Sequence, residues 1–89
     1  MGDMGDYYRD MDYAKKQKKI QNMKDNMEYL HEINANFISL NGSHQLNFRE
    51  SFGVISFYPT TNKWVYKNQV FYGNAEKLMK WIKDIKNVI

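Results

Sequence analysis

The side chains able to do chemistry in this chain are few, and their spacing excludes most reactions. His31 and His44 fall on separate predicted elements, and there is no cysteine. A structural zinc takes about four nitrogen or sulfur ligands, so both histidines read as ordinary polar residues, and neither a metal nor a cofactor is expected. The acid pairs Asp10/Asp12 and Asp25/Glu28 lie in a helical stretch, and only the second is spaced to share a helix face. They read as solvated charge. A Ser51–His44 nucleophile pair would need an acid to orient the histidine and a sharp turn to present the serine; the sequence supplies neither. The five glycines are scattered among turns and the terminus rather than gathered into a phosphate cradle. The chain reads as a non-enzyme.

Binding chemistry is better represented. Lys15, Lys16, Lys18, Lys19 and Lys24 follow one another with no acid between them, a basic patch able to track phosphate. Asp3, Asp6, Asp10 and Asp12 precede it and partly offset it. Arginine occurs only at Arg9 and Arg49; lysine acts as a point charge, whereas base reading and bidentate phosphate clamps favour arginine. A formal charge of +3 is therefore a weak nucleic-acid signal. Tyr7, Tyr8, Met11, Tyr29 and Tyr58 are the candidates for protein contact, because aromatic anchors carry interface energy and methionine adapts to a partner's shape.

These residues must be held by elements that the pattern also predicts. Residues 7–33 read as a helix: Ile20, Met23, Met27 and Leu30 recur at spacings of three and four, Ile33 extends the stripe, and Tyr13 lies one heptad earlier. Lys15 to Lys19 interrupt it with polar residues only, so part of this helix should project past the core. At about 40 Å it outruns a sheet of short strands, which predicts a homodimer through this helix or a surface free for a partner. Residues 1–6 are expected to be disordered.

From 36 to 72 the chain reads as strands and turns. A three-residue loop at 41–43 sets Ile38 opposite Leu46, a break or bulge falls between Arg49 and Gly53, and Pro59 to Asn62 close a four-residue loop pairing Phe57 with Trp64 and Ile55 with Tyr66. The turn at Lys67-Asn68 has two registers, Tyr66 with Val70 or Trp64 with Phe71. Asn74 caps a last helix whose apolar stripe is Ala75, Leu78, Ile82, Ile85 and Ile89, with Lys77, Lys80, Lys83 and Lys86 on its flank.

The predicted architecture is one α+β domain over 1–89: a long N-terminal helix, an antiparallel β-meander of four or five strands, and a short C-terminal helix. Both helices cover the face holding Ile38, Leu40, Leu46, Phe48, Ile55, Phe57, Trp64 and Tyr66. The second face then carries Phe37, Ser39, Gln45, Asn47, Val54, Ser56, Tyr58, Lys63 and Val65, a mixed surface of the kind that stacks single-stranded bases in other sheets. No run of 18 apolar residues exists and the N-terminus lacks an apolar leader core, so neither a membrane span nor a signal peptide is expected. With no cysteine in the chain, a reducing, cytoplasmic setting fits.

The stretch Ile55-Ser56-Phe57-Tyr58-Pro59-Thr60-Thr61-Asn62-Lys63-Trp64, followed by Phe71-Tyr72-Gly73 and a short helix, resembles small proteins encoded by bacteriophages and prophages. These share a long charged helix and a strand reading like FYPTTGKW; Asn62 stands where they often carry glycine. The resemblance implies an accessory protein of a phage or mobile element that binds a host protein and inhibits it. The alternative is a nucleic-acid-binding accessory protein using the Lys15–Lys24 patch.

Overall fold

A computed structural model describes the backbone of residues 3–88 and the side chains of residues 14–88. The order is α1 (Asp3–Glu32), β1 (Ile38–Leu40), β2 (Gln45–Glu50), β3 (Gly53–Tyr58), β4 (Lys63–Tyr66), β5 (Gln69–Tyr72) and α2 (Ala75–Val88). The strands form one antiparallel meander in sequence order, the α+β arrangement that the pattern predicts. Of residues 1–6, expected to be disordered, 1 and 2 lie outside the described residues and 3–6 open α1. Among the described residues no helix is long and apolar enough to cross a membrane.

The core forms where the inner sheet face meets both helices. Leu46, Phe48, Ile55, Phe57 and Trp64 are buried from the sheet, Leu30 from α1, and Ala75, Leu78 and Ile82 from α2. Ile85 is half-buried and the four lysines of α2 are exposed, as the helical spacing requires; Ile89 lies outside the described residues. Lys86 Nζ pairs with Glu50 Oε2 at 3.0 Å, tying the far end of α2 to β2. Five aromatic rings fill the space between the sheet and α2: Trp81 lies 5.2–6.3 Å from the rings of Phe71, Tyr66, Trp64 and Phe52.

Four turns choose the registers. Phe57 pairs with Trp64 across the four-residue loop, as expected, with Asn62 in the left-handed region at φ 53°. The β4–β5 turn is the two-residue form, with Lys67 at φ 48° and Asn68 at 65°, and Trp64 therefore faces Phe71 with the rings stacked at 5.7 Å. The break expected within residues 49–53 is a tight turn at Ser51-Phe52: β2 runs on to Glu50, and the chain returns as Gly53 opposite Glu50.

The β1–β2 turn overturns one expectation. It holds four residues, not three, because Asn41, Gly42 and Ser43 all take positive φ. Ile38 consequently pairs with Asn47 and Leu40 with Gln45. A slip of one residue moves every side chain to the other face, so Ile38 and Leu40 sit on the open face, 41% and 37% exposed. Phe37, expected on that open face, instead packs against Phe48 at 5.6 Å.

Candidate functional site

Two asparagines one helical turn apart, Asn22 and Asn26, place α1. Asn26 Nδ2 donates to Pro59 O and to Asn62 Oδ1, both at 2.8 Å, and its Oδ1 accepts from Ala75 N at 2.9 Å. Asn22 Nδ2 donates to Thr60 O at 3.0 Å. One buried amide thus joins α1, the β3–β4 turn and the first residue of α2. Asn62 completes the knot through its backbone, accepting from Gly73 N at 2.8 Å.

This clamp holds the C-terminal third of α1 over the sheet and leaves residues 14–20 exposed beyond the end of the sheet that carries the β1–β2 and β3–β4 turns. There Lys16, Lys19, Ile20 and Met23 of α1 meet His44 of the first turn and Thr60 of the second, bordering an open notch of about 450 Å³. Its floor is the half-buried Met23 and Ile20, which is 61% exposed; its rim is cationic. A smaller groove of about 250 Å³ continues along Lys15, Lys18, Lys19, Asn22, Thr60 and Thr61.

The structure therefore gathers four of the five predicted basic residues at one end of the molecule. Lys24 is exposed as well, but lines neither groove. The aromatic candidates are dispersed. Tyr29 is half-buried and lines a polar pocket of about 370 Å³ with Asn22, Asp25, Asn26, Asn62, Asn74 and Glu76. Tyr58 is half-buried on the open sheet face, with Lys63 Nζ 5.5 Å from its ring centre. The side chains of Tyr7, Tyr8 and Met11 lie outside the described residues.

His44 and Ser51 sit at opposite ends of the six-residue β2, about 20 Å apart at strand rise, which removes them as a nucleophile pair. Among the described residues no three His, Asp or Glu side chains gather as a metal ion would require. Sequence reasoning missed the roles of His44, Thr60 and the Asn22–Asn26 clamp. The signal for the clamp was present: Asn22, Asn26 and Leu30 recur every fourth residue, a polar stripe leading onto a buried face. No protein-family model, curated protein or solved structure matches the chain.

Proposed function

We propose that this chain is a small non-catalytic binding protein that docks on a partner protein through the notch beneath the projecting half of α1. The observation that carries the reading is the notch's build: an apolar floor of Ile20 and Met23 ringed by Lys16, Lys19, His44 and Thr60. An apolar centre with a polar rim is the anatomy of protein interfaces, and phosphate tracking alone has no use for the floor. The partner presents an apolar side chain to Ile20 and Met23 and acidic residues to the lysines. The likeness of residues 55–64 to phage and prophage proteins supports a host protein as that partner and inhibition as the outcome.

Site-directed photo-crosslinking from position 20 tests this in a host-cell lysate, with and without nuclease. A single protein adduct that survives nuclease and is suppressed by Met23→Asp is expected. An adduct that disappears with nuclease would overturn the reading. A second reading, nucleic-acid binding through Lys15, Lys16, Lys18, Lys19 and Lys24, is supported by the exposure of all five. With about four phosphate contacts its affinity for duplex DNA would fall with a log–log salt slope near −3.6.

A further inference from the structure

The open face of the sheet is uncovered by either helix, and its last row lies at the same end as the α1 lysines. Cross-strand pairing sets Leu40 beside Gln45, Tyr58 beside Lys63, and Lys63 beside Tyr72. Tyr58 and Lys63 flank the β3–β4 turn, whose Thr60 and Thr61 line the groove shared with Lys15, Lys18 and Lys19. Two features far apart in sequence, a basic helix segment and an aromatic strand row, thus meet across one turn.

We infer that this end of the molecule binds single-stranded nucleic acid, with bases stacking on Tyr72 and Tyr58 and the backbone passing over Lys63 and the turn to Lys15, Lys18 and Lys19. The inference goes beyond the protein-docking reading and does not rest on it. Tyr72 is 77% exposed, an unusual position for a large ring and one that leaves its plane free. It stands two strand spacings from Tyr58, about 10 Å, a distance that neighbouring nucleotides of an extended strand can bridge. Between the rings lies a lysine already 5.5 Å from the Tyr58 centroid, where an ammonium can serve both a ring face and a phosphate.

From the last row Gln45 Nε2 reaches one row further in, donating to Asn47 Oδ1 at 3.2 Å, and Ser56 Oγ donates to the same oxygen at 3.1 Å. These half-buried amides and hydroxyl offer hydrogen bonds to base edges.

Charge selects the occupant. The open-face strand positions carry Arg49 and Lys63 and no acid, since Glu50 points to the inner side and pairs with Lys86. Asp25, Glu28, Glu32, Glu76 and Asp84 all belong to the helices. A polyanion with exposed aromatic faces fits this surface; a second copy of the same face would set cation against cation. Single strands fit better than duplex because stacking on tyrosine needs an unpaired base.

Fluorescence anisotropy of the full chain with labelled oligo(dT) and oligo(U) of about twelve nucleotides tests this, with a duplex of equal length as control. Both single strands should bind more tightly than the duplex and weaken between about 50 and about 200 mM salt. Tyr72→Ala should weaken binding roughly 5- to 160-fold, the range for loss of one stacked base, while Tyr72→Phe, which keeps the ring, should bind within about twofold of the original chain. Lys63→Ala should weaken binding and flatten the salt slope. Ile20→Ala should leave oligonucleotide binding unchanged, so the result is separable from that of the notch. Tyr72→Ala binding as well as the original chain, preference for duplex, or no binding at about 100 μM would each overturn the assignment. So would release of a crosslinked protein partner by Tyr72→Ala, because it would place a protein on this face.

Discussion

Asn26 shows how one polar side chain can decide where a helix lies. Its residue is 3% exposed, and burial of an amide is costly unless its donors and acceptor are matched. Here two acceptors and one backbone donor meet it. Asn26→Ala should destabilise the fold by about 2–4 kcal/mol, because it strands several buried groups at about 1–3 kcal/mol each. Asn26→Leu should not recover the loss despite its larger apolar side chain. Urea denaturation of the three proteins checks the ordering, and a leucine variant as stable as the original would refute the clamp.

Trp64 is the opposite case, a buried ring (4% exposed) whose Nε1–H has no hydrogen-bond acceptor among the described residues. Trp64→Ala should cost about 3–5 kcal/mol through the cavity it leaves. Trp64→Phe should cost much less, since it keeps a ring stacked on Phe71 and removes the orphaned donor.

At the scale of elements, burial along the described side chains of α1 falls from Leu30 back toward Ala14. Leu30 is fully buried, Met27 and Met23 are half-buried, and Ile20 is 61% exposed. Leu30→Ala should therefore cost about 2–5 kcal/mol, while Ile20→Ala, compared at concentrations where both proteins are monomers, should fall within about 0.5 kcal/mol of the original. Melting curves that ranked the two equally would contradict this gradient. Turns offer two further tests of opposite sign. Gly53 has φ +138°, and a Cβ there would lie 3.0 Å from Tyr66 Cε1, a ring held by its hydroxyl donating to Phe52 O at 2.7 Å. Gly53→Ala should destabilise by about 1–3 kcal/mol. Lys67 and Asn68, by contrast, occupy left-handed positions better suited to Asn-Gly, and the double change Lys67→Asn with Asn68→Gly should raise stability by about 1 kcal/mol.

The whole molecule measures 60 × 26 × 21 Å, and its length follows from a 30-residue helix of about 45 Å laid on strands of at most six residues, about 20 Å long. Within that excess, residues 14–20 are exposed. In the absence of another partner the exposed Ile20 face of α1 is expected to pair with a second copy, so sedimentation should show a homodimer that Ile20→Glu converts to monomer. A monomer at every concentration would reserve the notch for a different protein.

The amino-acid pattern alone determined the kind and order of the elements. Helical spacing of Ile20, Met23, Met27 and Leu30, the stripe Ala75, Leu78 and Ile82, and turn chemistry at Asn41-Gly42 and Pro59–Asn62 are local properties, and local sterics and periodicity suffice to read them. It also identified Phe57 opposite Trp64, because both flanking strands alternate cleanly around a turn of recognisable length. Which face Ile38 and Leu40 occupy was decided only in three dimensions: it hinges on a third left-handed residue, Ser43, and on whether one more loop residue is used, an energy difference that composition does not encode. The Asn26 clamp was decided there too, since its partners lie 33 to 49 residues away in sequence. So was the meeting of Lys15, Lys18 and Lys19 with Tyr58, Lys63 and Tyr72, because a surface is assembled by chain segments that only packing brings to the same end of a sheet.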